Sequence, residues 1–244
     1  MTSAGRRRGL FVTGTDTGVG KTLVSAALLR YARRLGLVPI PFKPAETGCA
    51  SGAADARVLW RAAAPPIAEA DVCLYPLHLP IAPAAAAEAE GVRIDLERIA
   101  DRADTLAAKG DLLIVEGAGG LLVPYDRGAT GADLAKRLGL PLLVVARTAL
   151  GTVNHTALTL REAARTRVPV AGLILNRTPG SAGPQEAVNA ALIASLTGCQ
   201  AMGTFPTLGP EAATDPDRLA DALTAAVPER ALRALLGLEP ETSA

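Results

Sequence analysis

Leu10-Phe-Val-Thr13, followed by Gly14-Thr-Asp-Thr-Gly-Val-Gly-Lys-Thr22 and an amphipathic stretch over 21–35, decides the fold. A short apolar run, a glycine-rich turn and a helical period in direct succession predict a strand, a phosphate loop and a helix. Free backbone N–H groups and the positive dipole end make such a helix start attractive to phosphate. Lys21 is placed to reach the outer phosphates, and the Thr22 hydroxyl to ligate Mg²⁺. The strict pattern G-x-x-x-x-G-K-[ST] wants glycine at 15, where Thr15 stands; the glycine comes one residue earlier, at Gly14. An ordinary strand-to-helix turn is the bland alternative. The strand before, the helix after and Gly-Val-Gly-Lys-Thr at the join favour ATP or a similar nucleotide.

Working outward, further apolar runs at 38–42, 112–115, 142–146 and 172–175, with a weaker one at 201–205, read as strands. Most are continuous and not alternating, as in a parallel sheet covered on both faces. Helical stretches at 55–63, 95–109, 131–138, 152–165 and 185–196, and a pair within 217–236, lie between and after them. This alternation predicts a single α/β domain, a doubly wound and mostly parallel sheet with ligands at the carboxyl ends of its strands. The Pro- and Ala-rich residues 63–89 are expected to carry loops and a short helix. Residues 1–8 read as a basic tail, 9–238 as the domain and 239–244 as a second tail.

The 244 residues include 49% hydrophobic and 20% charged, enough for a packed core. A net charge of +1 and 3% aromatics argue against nucleic-acid binding, which needs a basic face and stacking rings. No apolar run approaches the ~20 residues of a membrane helix, and none resembles a signal peptide, so a cytoplasmic location is expected. Cys49, Cys73 and Cys199 are too scattered for a disulfide framework or zinc site. His78 reads as exposed and Trp60 as core. Lysine is scarce, occurring only at 21, 43, 109 and 136.

The run at 112–115 ends in Glu116-Gly-Ala-Gly-Gly120, where a Mg²⁺-supporting carboxylate and a close anion approach are expected beside a phosphate loop. Asp55, opening a helix, reads equally as an N-cap or as a second Mg²⁺ carboxylate. Lys43, in Phe42-Lys-Pro-Ala-Glu-Thr-Gly48, is either a surface lysine or a point charge for a transferring phosphoryl group.

Taken together, GTDTGVGKT, FKPAETG, VEGAGG and LGTVNH resemble the dethiobiotin synthetase family, over roughly residues 10–208. The resemblance implies a homodimer that closes a cyclic urea from 7,8-diaminopelargonate, CO₂ (or bicarbonate) and ATP. It implies Lys43 and Lys21 as catalytic, with Mg²⁺ on Thr22, Asp55 and Glu116. The phosphate loop would be Gly18, Val19, Gly20, Lys21, Thr22 and Leu23, and the turn Gly117, Ala118 and Gly119 would meet ATP and substrate. Thr15, Thr47, Gly151 and Asn154 would serve the substrate, the last two from across the dimer. Asn176, whose carboxamide can pair with adenine in bidentate fashion, would join Arg177, Pro206, Thr207 and Leu208 in the base pocket. Two departures stand out. Ile81-Ala-Pro-Ala-Ala85 lacks the family's histidine, and Gly18 lacks an acidic side chain found in some members. A partitioning or metal-insertion type switch ATPase is the rival, although Asp16 occupies the slot where such proteins often carry a second lysine.

Overall fold

The structure, a computed structural model, describes residues 8–179, 183 and 185–238. Strand β1 (Gly9–Gly14) runs through the glycine-rich turn into α1 (Lys21–Arg34); β2 (Pro39–Thr47) then leads to α2 (Ala54–Ala63). Next come β3 (Cys73–Leu77), α3 (Pro83–Ala89), α4 (Leu96–Ala107), β4 (Leu112–Gly120) and a hairpin of β5 (Pro124–Asp126) and β6 (Ala129–Thr130). Helix α5 (Gly131–Leu138), β7 (Leu142–Arg147), α6 (Thr152–Thr166), β8 (Val170–Asn176), α7 (Gln185–Thr197) and β9 (Gly203–Phe205) follow. Three helices, α8 (Pro210–Thr214), α9 (Pro216–Ala226) and α10 (Glu229–Leu235), end the described chain.

Seven strands pair in the order β3-β2-β4-β1-β7-β8-β9, every neighbour parallel. The expected doubly wound α/β fold is therefore present. Successive strand residues point to opposite faces, and both faces are covered. Phe11, Phe42, Val115 and Val144 belong to one core, while Leu10, Val12, Ile114, Leu143 and Val145 belong to the other. That is why these strands read as unbroken apolar runs. Each such buried side chain contributes roughly 1.5–3 kcal/mol. Because β4 returns to lie between β2 and β1, the carboxyl ends of β1, β2 and β4 open on one crevice.

Strand β3 was not expected, because it is short and contains Pro76. It lies at the sheet edge, where a missing N–H is tolerated. Helix α8 was also missed. Trp60 is only half-buried, since its ring lies at the rim of the core and its Nε1 donates to the Ile67 carbonyl at 2.8 Å. Of the expected tails, 1–7 and 239–244 lie outside the described residues; Arg8 is tied down, donating from Nε to the Leu236 carbonyl at 2.7 Å. Among the described residues, no helix is long and apolar enough to cross a membrane, and the three cysteines are unpaired.

Candidate active site

Helix α1 starts from Gly20 at φ +93° with no side-chain cap, so its first-turn N–H groups are left for a ligand. A side chain at Gly20 would collide with the Asn176 carboxamide, whose Nδ2 donates to the Val19 carbonyl at 2.9 Å. The offset glycine also has a steric cause. A Cβ at Gly14 would lie 2.7 Å from the Asp16 carbonyl oxygen and 3.1 Å from Lys21 Nζ. Lys21 folds back over the loop and donates to that Asp16 oxygen at 3.2 Å. The close approach thus falls on residue 14, which leaves position 15 free to carry a side chain. Burial lowers the Lys21 ammonium from its ordinary value, and Lys43 adds to the effect against the pull of Glu116.

Four elements deliver a compact charge cluster. Phe42 of β2 pairs with Val115 of β4, so the residues that follow, Lys43 and Glu116, are brought side by side. Lys43 Nζ donates to Glu116 Oε1 at 2.5 Å and to Asp55 Oδ2, from α2, at 2.9 Å. The Thr22 hydroxyl, from α1, donates to the same Glu116 oxygen at 2.9 Å. Burial works to discharge Lys43, but the carboxylates of Glu116 and Asp55 outweigh it and hold the ammonium well above its ordinary value. For Asp55 burial acts upward, and Lys43 overcomes it and keeps the carboxyl low. Asp55 is not the N-cap, which is Ala53. Lys43 is no surface lysine either, being 3% exposed.

Lys43, Asp55 and Thr22 line a cavity of about 580 Å³ together with Thr17, Gly18, Gly20, Lys21, Leu23, Thr47, Ala118 and Gly119, while the fully buried Glu116 is not in the lining. Glu46, Val123 and an apolar wall from Pro80 to Pro83 complete it. Gly117 is not in this lining, and Val19 is packed into the core. The Ala118 N–H donates to the buried Tyr125 hydroxyl at 2.7 Å, so it is already engaged within the fold. Thr15 lines a second cavity of about 390 Å³ with His155, Leu158 and Leu122. Gly151 caps α6 at φ +90°, and Asn154 is exposed in its first turn. The residues expected around the base converge, with Arg177 N–H donating to the Phe205 carbonyl at 2.9 Å and the Thr207 hydroxyl to the Arg177 carbonyl at 2.8 Å. Pro206 and Leu208 flank that link. The Arg177 side chain turns to Glu186, at 2.6 Å. Asn176 spends one Nδ2 hydrogen on the Val19 carbonyl, which leaves its second Nδ2 hydrogen and Oδ1.

Sequence reasoning missed Glu46 and Tyr125. Glu46 accepts the N–H groups of Asp55 at 2.8 Å and Ala56 at 3.0 Å. Its one local signal is that the helix it meets begins Gly52-Ala-Ala54, with no capping side chain of its own. Tyr125 gives no signal, because its partner is a backbone amide in another element.

The donor set fits Mg²⁺. Glu116 Oε2 is buried without a partner, an orphaned anionic oxygen beside a threonine hydroxyl and a second carboxylate. Among the described residues no group of three or more His, Cys, Asp or Glu side chains could hold a metal ion alone. Mg²⁺ does not require one, since it keeps several waters and is usually held by one or two carboxylates plus substrate phosphates.

Residues 8–212 match the AAA domain family. The chain is 50% identical over 200 residues to the ATP-dependent dethiobiotin synthetase of Anaeromyxobacter dehalogenans (strain 2CP-C), covering 82% of this chain and 90% of that one. It is 43% identical over 196 residues to the enzyme of the same name from Mycobacterium avium (strain 104), covering 79% and 85%. Among solved structures, the MinC:MinD cell division complex of Aquifex aeolicus superposes with a TM-score of 0.56 at 14% identity, over 97% of this chain and 99% of that one. At that identity the likeness speaks for the fold alone.

Proposed function

Because the chain belongs to the AAA domain family and, within it, to the ATP-dependent dethiobiotin synthetases, we propose that it closes 7,8-diaminopelargonate and CO₂ into dethiobiotin, converting ATP to ADP and phosphate. The observation that carries this reading is the buried Lys43–Glu116 pair, joined by the partly exposed Asp55 and Thr22, beside the open start of α1. One amine of the diamine attacks CO₂ and loses a proton, giving a carbamate. A carbamate oxygen then displaces ADP from the γ-phosphorus, forming a carbamic-phosphoric anhydride. The second amine attacks the carbonyl carbon, phosphate leaves, and the ring closes.

The chain's part is positioning and charge neutralisation. The first-turn N–H groups of α1 and Lys21 hold the phosphates. Lys43 supplies a fixed positive charge where the carbamate and the transferring phosphoryl group meet, and Thr47 orients the diamine. Mg²⁺, held by Thr22, Asp55 and Glu116, would neutralise phosphate charge as the bond to ADP breaks. Asn176 Oδ1 can accept from the adenine amine, with Arg177 and Pro206 to Leu208 around the base. The exposed Leu122 and Leu158 beside Thr15, and the exposed Leu150 next to Gly151, suit contact with a second copy, so that Gly151 and Asn154 serve the neighbour's substrate. Light scattering at twice the protomer mass is the expected result, and a monomer would refute it. Cytoplasmic residence, where ATP is available, belongs to the same reading.

The anhydride route is testable with C¹⁸O₂. One labelled oxygen should reach the released phosphate and one the cyclic urea. Unlabelled phosphate would mean attack by water, as in a switch ATPase.

A further inference from the structure

Helix α2 begins without a local cap. Its N-cap residue, Ala53, has an extended backbone at φ −76° and ψ 94° and makes no side-chain cap hydrogen bond, although Ser, Thr, Asp or Asn normally fills this place. The cap comes from the neighbouring strand instead. Glu46 Oε1 accepts from the Asp55 N–H at 2.8 Å and Oε2 from the Ala56 N–H at 3.0 Å. A carboxylate only 6% exposed needs such donors, and the positive end of a helix is a favourable place for its charge. The same strand therefore grips Asp55 twice, with Glu46 on its backbone and Lys43 on its carboxylate at 2.9 Å.

We propose that Glu46 is a positioning residue, which caps α2 from β2 and thereby sets where the Asp55 carboxylate stands in the cavity. Glu46 lines the cavity, but each of its oxygens already accepts an α2 amide, and in this proposal it acts through α2 and not on the substrate. The inference rests on the reading of Asp55 as a metal-supporting carboxylate.

The test compares the full-length protein with Glu46→Ala, Glu46→Gln and Glu46→Ala combined with Ala53→Ser. Binding of a non-hydrolysable ATP analogue is titrated by calorimetry across Mg²⁺ concentrations, and exchange of the Asp55 and Ala56 amides is followed without nucleotide. Affinity in the absence of Mg²⁺ should hold within about twofold. The Mg²⁺ concentration required should rise roughly five- to tenfold, the size of a lost cap, and both amides should exchange faster by a similar factor. Ala53→Ser, which gives α2 its own hydroxyl cap, should recover most of both losses. Unchanged exchange and Mg²⁺ requirement in both Glu46 variants would overturn the proposal. So would a Mg²⁺ defect that Ala53→Ser leaves in place, because Glu46 would then be meeting the ligand directly. If Glu46→Ala does not fold, Glu46→Gln, which keeps the volume and one acceptor, carries the comparison with and without Ala53→Ser. A wild-type protein whose nucleotide binding ignores Mg²⁺ would defeat the metal reading of Asp55, and the amide exchange would then decide the capping on its own.

Discussion

Lys43 Nζ lies 2.5 Å from Glu116 Oε1, with side-chain exposures of 4% and 0%. Neither charge has water to fall back on, so each depends on the other. Lys43→Ala should cost about 3–5 kcal/mol of stability, read by urea unfolding, because it strands a buried carboxylate. Product formation should fall by roughly 10²–10³, the usual loss for one preorganised charge, while nucleotide still binds. A variant of undiminished turnover would remove Lys43 from the chemistry.

Glu116→Gln keeps the shape and an acceptor for Thr22 but removes the orphaned anionic oxygen and the counter-charge of Lys43. Mg²⁺ dependence of ATP binding should weaken about 10–100-fold, the range seen when the groups supporting a metal site are altered. Binding without Mg²⁺ should change little. Equal losses under both conditions would indicate a collapsed loop and not a metal defect.

Gly20 and Asn176 form a steric pair. Gly20→Ala meets the carboxamide and must also hold φ +93°, so a cost of about 1–3 kcal/mol from the backbone alone is expected, with loss of nucleotide binding. Adding Asn176→Ala should relieve the clash but not the backbone strain, giving partial recovery. Full recovery would mean that the conformation at Gly20 carries no cost.

The Arg30 and Arg34 guanidiniums hold the Asp217 carboxyl down to about 2, from an ordinary 3.8. A depressed carboxyl contributes stability above its unfolded value and loses it as pH falls through the folded one. The stability gap between wild type and Asp217→Asn should therefore close between about pH 4 and pH 2. Since Asp217 is half-exposed, the gap should be small and shrink in salt. A gap independent of pH would point to packing.

Much of this was legible in the sequence, for a local reason. Residues 10–22 carry strand, turn and helix signals in one continuous stretch, and Glu116 follows an apolar run that reads as a buried strand. Lys43 and Asp55 were ambiguous because their roles depend on two elements meeting, and neither partner adjoins them in sequence. Glu46 and Tyr125 were invisible for the same reason carried further, since each binds backbone amides of another element. Asn176 was read for its chemistry with a base; its hydrogen bond to Val19 arises from the approach of β8 to the phosphate loop.

The most direct test of the central claim is ADP release by the purified protein with Mg-ATP and bicarbonate, with and without 7,8-diaminopelargonate, with product mass read from the same tube. The account predicts that ADP release requires the diamine and that the cyclic urea accumulates in step with it. ADP released equally without the diamine, and no cyclic urea, would contradict it and put the switch-ATPase reading in its place.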